Sequence, residues 1–271
     1  MLRTSGDVLY LHSLRFGQSW AASEIDLAMQ DRRRDEVPGV LFVVPCENSV
    51  DRRVSQLKVA LWGAGFAYVD TMVDRICPTV LCLRHGRSGA ADDDIVYVDT
   101  EREFEWVAEI ESADPAAHAV FDTFCQNVGI EISVDIEATK IRKRWMMNGT
   151  QLALVILAAS AGFRNKYMAD YCDQFPHSLE ALIGDLRTAC EWSGKTYSYG
   201  ELDRAESWYK ERLIASMRSG ADGKGDSVQR MLSKAKRESA GDMLRDVTSQ
   251  TRSAILTQYF RCACRRELRT C

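Results

Sequence analysis

The stretch that most constrains this chain is residues 137–162, EATKIRKRWMMNGTQLALVILAASAG. Its first half is polar and basic, and it runs into the apolar run Leu152–Ala159 with no proline and, before its end, only Gly149 as an interruption. Such a pattern predicts one long helix. At 3.6 residues per turn, Lys143, Met147 and Gln151 stack along one side, with Asn148 at the edge of the same broad face. An amine and an amide aimed at one spot above a buried helix suit chemistry on an alcohol or a carbonyl. The same spacing also describes a core helix whose solvated end is basic, and taken alone it favours that plainer reading.

The chain around this helix has 271 residues, 46% of them hydrophobic, enough for one large domain or two ordinary ones. A formal net charge of −4 argues against non-specific nucleic-acid binding, so no nucleic-acid partner is expected. The run Leu152–Ala159 is too short to cross a bilayer and follows a basic segment. The opening residues MLRTSGDVLYLHSLRFG lack the apolar core of a signal peptide, so no membrane partner and a cytoplasmic location are expected. Nine cysteines, with no CxxC pair and no histidine near Cys262 and Cys264, fit reduced thiols better than a zinc site. Asp92, Asp93 and Asp94 sit in a polar turn where neighbouring side chains point apart, so no metal is expected there either.

Read in order, the chain predicts a strand at 8–14, an amphipathic helix at 19–34 and a fully apolar strand VLFVV at 40–44. The loop PCENS (45–49) then leads into a helix over 49–62 and the strand-like run AYVDTMVDRICP (67–78). Two β runs within 79–98, around a Gly/Asp turn, predict a hairpin extending the edge of the sheet. Helices are expected at 116–128, 136–162, 164–173, 177–193, 199–218 and 227–268. The fold class is therefore α/β followed by all-α, with residues 1–115 forming the sheet domain and 116–271 the helical one. A G-x-G-x-x-G turn between strand and helix does not occur, and GKGDS (223–227) lacks the spacing of a phosphate loop.

Four stretches in a fixed order carry a resemblance: VVPCENSVDRRVSQLK (43–58), AYVDTMVDRICP (67–78), KRWMMNGTQLAL (143–154) and, more weakly, SVQRMLSKAKRESAGDMLRDV (227–247). Together they resemble the mannitol dehydrogenase family of polyol-specific long-chain dehydrogenases, above all its mannitol-1-phosphate 5-dehydrogenase branch. The third stretch is similar to that family's K-x-x-x-x-N-x-x-H catalytic helix. The resemblance implies a partial Rossmann-like parallel sheet, an NAD cofactor, and a sugar alcohol or its phosphate as small-molecule substrate. Lys143 would be the general base that takes the hydroxyl proton, its pKa depressed by burial and by cations such as Arg142 and Arg144. Asn148 and Asn48 would donate hydrogen bonds to the substrate oxygen, and Asp74 would lie near the substrate or orient the lysine. Gln151 and Arg230 would contact substrate, with Lys234, Lys236 and Arg237 as further cations for a phosphate.

Each of these residues also has a plainer reading: Asn48 caps the helix starting near Ser49, Asp74 pairs with Arg75 or Lys143, and the basic helix is a solvated face. Two departures from the family pattern matter. Gln151 stands where the family has a histidine, so it can hydrogen-bond but not titrate. The glycine fingerprint and the first strands have no counterpart, which predicts an open sheet edge that a partner or another segment would cover. The alternative to an active oxidoreductase is thus a truncated or degenerate relative, serving as a structural or partner-dependent module.

Overall fold

The computed structural model describes residues 2–4, 7–12, 39–45, 66–74, 79–83, 95–99, 104–112, 115–218, 225 and 227–237. The chain forms two compact units, Met1–Lys140 and Ile141–Cys271.

The first unit is built on strands β1 (Leu2–Thr4), β2 (Asp7–His12), β3 (Leu41–Pro45), β4 (Phe66–Asp74), β5 (Thr79–Leu83), β6 (Ile95–Asp99), β7 (Glu105–Glu111) and β8 (Glu131–Ile132). Six of them make one sheet in the order β1-β2-β3-β4-β7-β8. Strands β2, β3 and β4 run parallel in sequence order, as in one half of a doubly wound sheet. Their apolar sequences are those predicted for buried parallel strands. The edge expected to lie open beside β2 carries the short antiparallel strand β1.

Two features differ from the sequence reading. The hairpin β5–β6 forms, but as its own two-stranded sheet and not as an extension of the main one. The reason is that β7 pairs antiparallel with β4 from Tyr68↔Glu111 to Asp74↔Glu105, which takes that side of β4. The second difference is β7 itself, which was not predicted although EWVAEIE alternates with a period of two. Trp106, Ala108 and Ile110 join Phe42, Val44, Ala67 and Val69 on one face of the sheet. Helix α1 (Pro115–Val128) covers that face through Ala117, Phe121 and Cys125, with the Phe42 and Phe121 rings stacked at 5.7 Å. Burying a side chain such as Phe121 contributes about 1.5–3 kcal/mol. The division expected at 115/116 follows the change from strands to helices, and α1 packs on the sheet within the first unit.

On the other face, Met72 and Val107 meet Ile136, the first residue of helix α2 (Ile136–Phe163). The start of α2 is fixed twice. Asp135 Oδ1 accepts the Ala138 N–H at 3.1 Å, and Glu109 Oε2, reaching from β7, accepts the Ile136 N–H at 2.8 Å. Both carboxylates answer orphan donors at the positive end of the helix.

In the second unit α2 is joined by α3 (Met168–Gln174), α4 (His177–Glu191), α5 (Glu201–Arg218) and α6 (Val228–Arg237). The expected helix at 227–268 is described only as far as Arg237. Helix α2 ends where Gly162 takes φ +86°, a left-handed conformation that suits glycine, and this delays α3 beyond its expected start. The middle of α2, Thr150–Ala158, packs against α4 and α6. Although the apolar run alone is short, α2 as a whole is long and apolar enough to cross a bilayer. Here its residues Leu152–Ile156 are buried in the second unit, so α2 serves as a core helix.

Candidate active site

Helix α2 is not regular. Lys143–Gly149 forms a π-helical segment between α-helical Ile136–Arg142 and Thr150–Ala158. Hydrogen bonds from i to i+5 widen the turn, so residues five apart become neighbours along the helix. Lys143 and Asn148 are such a pair. In an α-helix they would stand about 140° apart. The stacking of Lys143, Met147 and Gln151 inferred from 3.6 residues per turn therefore does not describe this segment.

Lys143 is 7% exposed, and its neighbours Trp145, Met146 and Met147 are buried, whereas Asn148 is exposed. Gln151 is half-buried one turn further on, and Arg230 is exposed in the first turn of α6. Helices α4 and α5 pack on the π segment. At its end, a Cβ on Gly149 would lie 3.2 Å from Leu186 Cδ1 of α4, so this glycine permits a close approach. Trp145 Nε1 and Thr150 Oγ1 are buried without a hydrogen-bond partner among the described residues. A buried unsatisfied group costs about 1–3 kcal/mol, and π segments are frequent at functional sites.

Arg142, expected as a cation near Lys143, has its guanidinium 3.3 Å from Glu201 Oε1. Close by, burial pushes the Cys190 thiol up to about 12 and raises the Tyr197 hydroxyl as well. A cleft of about 270 Å³ opens beside these residues, lined by Arg187, Glu191, Lys195, Tyr197, Ser198 and Asp203 among others. The Arg187 guanidinium is committed to Asp203, Glu191 and Glu206 at 2.6, 2.9 and 3.4 Å.

In the first unit, Asp74 is the last residue of β4 and is 4% exposed. Val43 of β3 is level with Tyr68, so β4 projects beyond Pro45 by about four residues, roughly 13 Å. That places Asp74 at the carboxyl end of the parallel strands, where open α/β sheets bind ligands. Glu105 stands opposite it in the ladder, and both residues have interactions of their own. On the same face of β4, Asp70 Oδ1 accepts the ammonium of Lys140 at 2.5 Å and the Thr71 N–H at 2.9 Å. The sequence reading missed this pair. The alternation Asp70-Met72-Asp74, set against the basic first turns of α2, was the available signal. Asn48 lies outside the described residues, as do Asp92, Asp93 and Asp94.

No family model and no curated protein matches this sequence. Among solved structures, the chain is similar to mannitol 2-dehydrogenase of Pseudomonas fluorescens, determined as a ternary complex with NAD and D-mannitol, at 17% identity and a TM-score of 0.45, covering 80% of this chain and 47% of that one. It is also similar to D-sorbitol dehydrogenase in substrate-free form, at 17% identity and a TM-score of 0.48, covering 86% and 52%. A third is 2-dehydropantoate 2-reductase from Methylococcus capsulatus, at 11% identity and a TM-score of 0.42, covering 100% and 77%. The chain spans about half the length of the two polyol dehydrogenases.

Proposed function

We propose that this chain serves the interconversion of a sugar alcohol, or its phosphate, with the corresponding carbonyl compound, by hydride exchange with NAD. The observation that carries the reading is Lys143, buried at the start of a π segment whose fifth residue onward is Asn148. A bound nicotinamide supplies the two-electron acceptor. Lys143, as the neutral amine, takes the hydroxyl proton as the carbinol C–H bond breaks and the C=O bond forms. Asn148 donates a hydrogen bond to the same oxygen, where negative charge develops. In the reverse direction the Lys143 ammonium returns the proton. Arg230 supplies a cation for a substrate phosphate, and Gln151 hydrogen-bonds a hydroxyl. In the first unit, Asp74 marks the ligand-binding edge of the parallel strands, and Asn48, outside the described residues, is the further candidate donor. Among the described residues, the fit to a dinucleotide rests on the carboxyl ends of β2–β4, since no glycine-rich turn opening a helix is among them.

The second reading, a non-catalytic module, draws on Gln151, which cannot take part in a proton relay. One assay separates the two. The purified chain should oxidise NADH in the presence of fructose 6-phosphate or fructose, and Lys143→Met should lower the rate by about 10²–10⁴-fold. Absence of turnover with both sugars, together with no thermal shift on adding NADH, would sink the enzymatic reading for this chain.

A further inference from the structure

Building on the proposed function, we infer that the π register of Lys143–Gly149 is what brings the base and the oxygen-binding amide to one substrate atom, and that Gly149, seated against Leu186, is the positioning residue that maintains it. In an α-helix, residues five apart are separated by about 140° around the axis and roughly 8–9 Å between Cα atoms, too far to share an oxygen. In an i→i+5 turn they are neighbours. The extra residue also rotates everything downstream by about 100° relative to Lys143. Gly149 closes the segment, and its missing side chain is what allows Leu186 Cδ1 to stand 3.2 Å from the place a Cβ would occupy. Alanine there would crowd the Leu186 side chain, which would have to give by a few tenths of an ångström, and would itself favour the regular α-helix. Trp145 Nε1 within the segment and Thr150 Oγ1 just after it, both buried without a hydrogen-bond partner among the described residues, mark this part of the helix as one not optimised for stability.

Two measurements test this, one with activity and one without. Gly149→Ala should lower kcat about 10–100-fold, with KM changed less than about threefold, because a misplacement near 1 Å costs about that much. Adding Leu186→Ala should restore kcat at least fivefold, since it frees the space. A Gly149→Ala enzyme with wild-type kcat, or one not rescued by Leu186→Ala, overturns the role of Gly149. Independently of catalysis, the Lys143→Cys/Asn148→Cys double variant should form a disulfide between the two new thiols, identified by peptide mass spectrometry. Disulfides need Cα atoms about 4.4–6.8 Å apart, which the π register permits and the α register does not. Introducing Gly149→Ala into that variant should suppress the bond, and a bond that never forms overturns the inference. A disulfide that forms as expected in the double variant, alongside a wild type that turns over neither sugar, upholds the register and refutes the enzymatic reading alone.

Discussion

The two halves of helix α2 answer to different requirements. From Thr150 to Ala158 it is regular, and Leu154, Val155 and Ile156 are fully buried, so every direction around the axis meets protein. From Ile136 to Gly149 it buries Lys140, Arg142 and Lys143 and changes its hydrogen-bond register. A buried cation is costly unless it is paired or has work to do. Lys140 is paired with Asp70 and Arg142 with Glu201. Lys143, also engaged, is the one placed at the first residue of the π segment. The contrast teaches that the fold is stabilised where the helix is regular, and that the proposed chemistry is assigned to the part where the register changes.

Substitutions can break or sharpen that contrast. The largest stability effect should come from the regular half, where Ile156→Ala should cost about 2–5 kcal/mol in urea unfolding, through lost burial and a cavity. A loss below about 1 kcal/mol would show that this half is not the core. Next comes Lys140→Met. Breaking a buried pair costs about 3–5 kcal/mol, but Asp70 keeps 28% exposure, so about 1–3 kcal/mol is expected. Asp135→Ala should cost about 0.5–2 kcal/mol by removing the cap on α2, with Glu109 still holding the Ile136 N–H.

A pH-dependent effect is expected in alkaline solution. Burial pushes the Cys125 and Cys190 thiols up to about 12. Unfolded thiols ionise near about 8.5, so the unfolded chain releases these protons first. Their contribution to stability is whole below about pH 8.5 and is lost as pH rises from there toward 12. The urea midpoint should therefore fall between pH 8 and about 10, and Cys190→Ala should flatten the fall. An unchanged slope in that variant would contradict a buried, neutral Cys190.

Much of this was legible in the sequence because hydrophobic pattern dictates it. Among the described residues, strands β2 and β3 lie within or beside the apolar runs read at 8–14 and 40–44, and the long helix lies where the pattern at 137–162 placed it. Strand β7 was missed although its alternation is clear, because the turn to helical pattern drew the boundary just after it. The hairpin's separation was not legible, since strand pairing depends on which edge another strand has already taken. Nor was the π segment, as nothing in KRWMMNG distinguishes one hydrogen-bond register from the next. Of the candidate site, the types and order of Lys143, Asn148 and Asp74 could be read, but the i→i+5 relation of the first two could not. The Lys140–Asp70 pair joins residues 70 positions apart, a separation that periodicity does not address.

The central claim is that Lys143 moves the substrate proton, and chemical rescue tests it most directly. Single-turnover oxidation of a polyol, or of its phosphate, should rise with pH in the wild type through one ionisation. Lys143→Ala should lose that dependence together with about 10²–10⁴-fold in rate, and added methylamine should restore part of the rate. A Lys143→Ala variant that keeps the wild-type rate and pH profile would contradict the account.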